Sequence, residues 1–157
     1  MEDDATQFIR SYLQHIVYVQ AALERIIQEL RTREHLHDIS KLNPDEFSGF
    51  VAINKAARDG TFGTPAYAES IKARQEVVDL HYSRNRHHPK CFTSPATMKF
   101  IDIIEMVCDW YGAHLAYTPT KSWSTCVETN VDIHCTDMLK EQHWLIRQIA
   151  GFLAPLS

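Results

Sequence analysis

Three proline-marked helix starts punctuate this chain: Asn43-Pro44, Thr64-Pro65 and Ser94-Pro95 each set a capping residue before a proline. The cap's side-chain oxygen satisfies a free backbone N–H. Proline suits the first helical position, where its missing N–H costs nothing. Around these markers apolar residues recur at three and four, the period of a helix with one buried face. The spacing predicts a helix over 6–30 carrying Phe8, Ile9, Tyr12, Leu13, Ile16, Val17, Val19, Leu23, Ile26, Ile27 and Leu30. Charged residues 31–34 are expected to bend the chain before a short helical segment over 35–41. Glu46 is expected to complete a capping box for a helix reaching about Arg58. Further helices are expected over 64–83, 94–117 and 136–153. The third-last of these stripes turns Ile71, Val77, Val78 and Leu80 inward, and the next turns Met98, Ile101, Ile104, Met106, Val107, Trp110 and Leu115 inward. The last carries Leu139, Leu145, Ile146, Ile149 and Phe152. Residues 118–135 show little pattern beyond a short helix near Thr125. The expected fold is all-α, a compact single-domain bundle of five to six helices over 1–157.

Composition narrows the function. A length of 157 residues suits one domain, and 45% apolar with 23% charged residues excludes a wholly disordered chain. The net charge of -4 argues against a stable nucleic-acid complex or an anionic membrane surface. No apolar run is long enough for a membrane helix, and the acidic start MEDDATQF does not read as a signal peptide. Cys91, Cys108, Cys126 and Cys135 form no CxxC pair, so a cytoplasmic protein with free thiols is expected, Cys108 in the core.

Nine histidines stand out. His37-Asp38 offers an imidazole nitrogen and a carboxylate oxygen, a set suited to Mn, Fe, Co, Ni or Zn. His15 lies 22 residues upstream, and Asp109 lies in the 94–117 helix. Helices of a small bundle can project such residues into a shared interior. His15, His37, Asp38 and Asp109 would then form one site, with His81 and one or both of His87 and His88 at a second ion or a substrate phosphate. Asp102, Glu105 and Asp109 share one helix stripe. Asp102 is expected to face water, while Glu105 could orient a ligating histidine. Lys41, one turn beyond Asp38, is positioned to meet a phosphate oxygen, and Arg84, Arg86 and Lys90 form a basic patch around the histidines.

The segments HDISKLNPDEF, HYSRNRHHP and IIEMVCDWYGA, with His15 upstream, resemble the HD-domain superfamily of metal-dependent phosphohydrolases. More closely they resemble a small family of phage and bacterial proteins with His-Asp-x-Ser-Lys, Asn-x-His-His and Glu-Met-x-x-Asp-Trp segments, over roughly residues 10–117. The resemblance implies a helical fold and one or two divalent ions. It makes His15, His37, Asp38 and Asp109 the core ligands and His81 and His88 the extra histidines of binuclear members. The closeness of His87-His88-Pro89 to His81 argues against all three histidines reaching the metals. The implied activity is hydrolysis of a small phosphorylated substrate, a nucleotide by preference. Asp109, His81, His88 and Lys41 would be catalytic, and Lys41, Arg84, Arg86 and His87 would bind substrate. A diiron oxygenase of the same superfamily and a non-enzymatic metal-stabilised binding protein are the alternatives, and a homodimer is compatible with either.

Overall fold

The charged stretch at 31–34 does not bend the chain. In the computed structural model, which describes residues 3–60 and 64–154, α1 runs unbroken over Asp4–Leu36. Asp3 caps it, its side chain accepting from the Thr6 N–H. Side-chain bonds one turn apart bridge the charged segment, Gln28 to Glu24 and Arg33 to Glu29. Such pairs add helix stability, and arginine and glutamate are good helix formers. The expected segment over 35–41 is instead the end of α1 and a 3-10 turn, Ile39–Leu42.

The chain divides at the His37–Asp38 junction into two compact units. The first contains α1. The second contains α2 (Pro44–Gly60), α3 (Pro65–Lys72), α4 (Gln75–Arg84), α5 (Phe100–Tyr117), α6 (Trp123–His134) and α7 (Lys140–Leu153). The fold is all-α, with no strand among the described residues.

Local chemistry explains where the helices depart from expectation. The 64–83 helix is two helices, because the Ala73 and Arg74 N–H groups turn back on Glu69 and Ile71 carbonyls while the Arg74 guanidinium donates to the Ser70 carbonyl. The 94–117 helix is a 3-10 turn at Pro95–Thr97 followed by α5. Asp102 accepts from the Lys99 N–H and so sets the start of α5. The poorly patterned 118–135 stretch holds α6.

Two packing centres shape the second unit. α5, α6 and α7 close around Ile103, Met106, Val107, Val127, Val131, Cys135 and Ile146. The Trp123 indole N–H donates to the Ala150 carbonyl, joining α6 to α7. Leu115, Leu139 and Phe152, expected inside, are exposed, as is Cys108. The apolar stripes there are narrower than the residue types suggest. α2 packs on α3 and α4, burying Ile53 and Val78. No helix among the described residues is long and apolar enough to cross a membrane.

Gly49 sets the α2–α4 approach. A Cβ there would lie 2.8 Å from both Val77 methyls and 3.0 Å from its Cβ. Valine is stiff at χ1, so the helices themselves would have to move. Gly49→Ala is expected to cost about 1–3 kcal/mol in chemical denaturation, the usual overpacking cost. An unchanged midpoint would show that α2 and α4 separate freely.

Candidate metal centre

Asp38 is the single non-glycine residue with positive φ among those described, at φ 56. Aspartate tolerates this left-handed conformation better than most residues, but it still carries strain. Asp38 stands at the cap position of the 3-10 turn, yet its side chain makes no capping bond. Its carboxylate is committed elsewhere. Oδ1 lies 3.1 Å from His81 Nε2 and 3.4 Å from His87 Nε2, and Oδ2 pairs with the Lys41 ammonium.

His81, near the end of α4, and His87 are almost fully buried. His88 is adjacent, its ring centroid 4.1 Å from that of His87 and 5.1 Å from that of His81. Nitrogens of these three histidines and a carboxylate oxygen of Asp38 lie within 4.8 Å of one another. The Nε2 atoms of His81 and His88 are buried and make no hydrogen bond. Buried polar atoms are almost always hydrogen-bonded, so such atoms need an explanation. Ligands at about 2.1 Å in tetrahedral geometry stand about 3.4 Å apart, which matches the distances from Asp38 to His81 and His87. The N3O set fits a divalent transition ion. All three histidines converge, contrary to the expectation that the loop sits too close to His81. The loop turns sharply after α4, where the Asn85 carbonyl accepts from the His88 N–H, and Pro89 opens the next 3-10 turn.

Carboxylates fix the two buried rings. Glu46 has no exposed surface. Its Oε2 lies 3.0 Å from His81 Nδ1 and accepts from the Ser40 hydroxyl at 2.9 Å, while Oε1 accepts from Arg84. An Nδ1–H donated to Glu46 leaves the His81 Nε2 lone pair facing Asp38. Asn85 donates to the Ser40 hydroxyl and the His81 carbonyl. Glu105 of α5 lies 3.2 Å from His87 Nδ1 and holds that ring in place. Glu46 therefore serves this network rather than the capping box expected of it.

Asp109, on α5, brings a carboxylate oxygen within 4.8 Å of ligand atoms of Asp38 and His87. It is a fifth donor beside the first four. His37 closes α1 and is the last residue of the first unit, one peptide bond before Asp38. His15 stands 22 residues before His37 on the same unbroken helix. At about 1.5 Å per residue they are about 30 Å apart, so the expected His15–His37 pairing on one ion does not form. That pairing required the bend that α1 lacks.

The basic residues are also placed differently. Arg84 binds Asp45 through two nitrogens and Glu46 through one. Arg86 grips Asp102 at 3.1 and 3.0 Å. Asp102, expected in water, is fully buried in that pair. Both arginines hold the scaffold together rather than forming an open patch. Lys41 lies over the Phe50 ring and lines a small apolar hollow with Leu42, Phe47 and Val51.

Beside the donor group opens a cleft of about 770 Å3. His88 and Asp109 line it, with Tyr82, Lys90, Asn130 and His134 among its other walls. Lys90 is the cationic lysine or arginine side chain among the described lining residues, and its ammonium lies 5.3 Å from the Tyr82 ring centroid. Neither Arg84, Arg86 nor Lys41 lines this cleft.

The sequence matches the family described as "Family of unknown function (DUF5662)" over residues 4–149. The chain belongs to this family. No curated protein and no solved structure matches it. Ser40, Glu46 and Asn85 were not marked as site residues by sequence reasoning, although all three lie inside the motifs quoted for the resemblance.

Electrostatics split the two loop histidines. Burial favours the neutral form of both. For His88 the neighbouring His87 and His81 add to that, pushing it down to about 2. For His87 the bonds to Asp38 and Glu105 outweigh burial and raise it. Burial likewise opposes ionisation of Asp38, but His81, His87 and Lys41 overcome it and lower its pKa. Below about 6.5, the unfolded histidine value, the unfolded chain carries a proton on His88 that the folded chain lacks, so stability rises with pH. Above it, the folded chain keeps a proton on His87 that the unfolded chain has lost, so stability falls with pH. Metal-free protein is therefore expected to show a maximum in melting temperature near the ordinary histidine pKa. His88→Ala should flatten the acid arm and His87→Gln the alkaline arm. Arms unchanged in the variants would refute this charge assignment.

Proposed function

We propose that this chain is a metal-dependent phosphohydrolase of HD-domain type, acting on a small phosphorylated substrate, with a nucleotide as the first choice. The observation that carries the reading is the convergence of His81, His87, His88 and Asp38 at the edge of a cleft that His88 and Asp109 line. The buried Nε2 atoms of His81 and His88, which make no hydrogen bond, are a poor arrangement for stability alone and a good one for an ion. The ion's place beside an open cleft favours catalysis over a closed structural site.

A divalent ion held there supplies an acidified water and polarises a phosphoryl oxygen. The protein's residues do the rest. Glu46 and Glu105 hold the His81 and His87 rings with Nε2 toward the donor group. Asp109, shared between the donor group and the cleft, is placed to accept the proton of the attacking water. Lys90 reaches the cleft as a point charge for a phosphate oxygen, the role expected of Arg84 and Arg86. Tyr82 and Trp110 give the wall aromatic surface for the organic part of the substrate.

The test starts with elemental analysis of the protein as isolated, followed by turnover on a panel of nucleotides and phosphomonoesters with Mn, Fe, Co, Ni and Zn. About one or two ions per chain and hydrolysis are expected. Lys90→Ala should raise KM roughly tenfold with the ion retained, the size of one charged contact. His88→Ala should lose both ion and activity. Glu46→Gln should weaken ion affinity by about 10–100-fold, since it disturbs the partner of a ligand and not the ligand. A metal-loaded protein inactive across the panel would overturn the hydrolase reading. Oxygen-dependent turnover with iron would replace it with the oxygenase.

A further inference from the structure

The first unit carries a feature that the metal centre does not use. On α1, Ile9, Ile16, Leu23 and Leu30 stand seven residues apart. Tyr12, Val19 and Ile26 repeat the same interval three residues further on. This is an a/d heptad seam sustained over three repeats, the pattern of a helix that supercoils with another helix. Leu13 and Ile27 widen it on one side and Phe8 on the other. The opposite side is polar apart from Val17 and Tyr18, with Arg10, Gln14, Glu24, Gln28 and Arg31.

None of the residues of α1 is buried. Ile9 and Leu23 are each 55% exposed and Phe8 67%. A lone amphipathic helix gains little from propensity, because helices in proteins are held mainly by packing of the apolar face. A strict seven-residue repeat also needs a partner helix that follows it along its length. Among the described residues the next longest helix is α5, with 18 residues against 33 in α1. Its residues Ile101, Ile103, Met106, Val107 and Trp110 are already buried in the second unit's core. A second copy of α1 has the same length and the same seam. Eight of the ten seam and flanking side chains are exposed, with Ile16 and Leu30 partly so, and together they offer on the order of 800 Å2 per chain, the amount a standard stable interface buries from each partner.

We propose that α1 is a dimerisation helix, packing its Ile9-to-Leu30 seam against α1 of a second copy of this chain. The pairing is isologous, so two chains satisfy it and close the assembly. It stands independently of the metal reading.

Sedimentation equilibrium on the full chain tests it. Twice the chain mass is expected, falling to the monomer mass on dilution. Ile16→Glu with Leu23→Glu places four charges in the paired seam and should weaken association at least a hundredfold. Val17→Glu, on the far side, should leave the dimer intact. Amide exchange on the unmutated protein gives a reading free of any folding defect. α1 amides should gain protection as concentration rises while those of α5 stay constant. A monomer at every concentration, or a dimer unaffected by the seam charges and weakened by Val17→Glu, would overturn the proposal.

Discussion

A carboxylate with no exposed surface governs the second unit. Burying an ionised glutamate is expensive unless every oxygen is matched. Glu46 meets this with the Ser40 hydroxyl and the His81 ring on Oε2 and with Arg84 on Oε1. Those three partners come from the 3-10 turn and α4, while Glu46 itself is on α2. Satisfying one buried charge therefore fixes the turn, α2 and α4 against one another. It also fixes the tautomer and direction of His81. The left-handed Asp38 follows, because the chain must turn abruptly between its carboxylate and Ser40, two residues later. The hydrogen bonds that hold these elements together also aim the His81 ring at Asp38.

The same economy explains the arginines. A basic cluster beside histidines reads as an anion site when partners are invisible. In the fold, Arg84 and Arg86 each find a carboxylate and become braces between elements distant in sequence. Asp102 illustrates the other half of the error. Its ion-pair partner Arg86 comes from a loop 16 residues earlier, which no local rule finds. Bidentate pairing of this kind is what lets a fully buried aspartate persist in α5.

Much of the fold was legible because it depends on local rules. Thr64 caps α3 by accepting from the Tyr67 N–H, and Pro44 and Pro65 open their helices where proline chemistry places them. The unbroken α1 was not, since i,i+4 pairs among charged residues decide whether 31–34 bends. That one misreading paired His15 with His37, which stands about 30 Å away along the same helix. Of the residues that converge in the candidate centre, Asp38, His81, His87, His88 and Asp109 stand out by residue type and motif. That all three histidines converge does not, because it depends on the sharp turn after α4 and on Glu105 reaching across from α5. Ser40 and Asn85 were hidden for a different reason: a serine or asparagine announces nothing until its partner is known.

The proposed function rests on three imidazoles and one carboxylate sharing an ion. X-ray absorption spectroscopy of the protein loaded with zinc or manganese tests it most directly. The expected spectrum fits nitrogen and oxygen donors at about 2.0–2.2 Å with the multiple scattering of three imidazoles. A spectrum with no imidazole scattering, or with sulfur at about 2.3 Å, would place the ion elsewhere and contradict the claim.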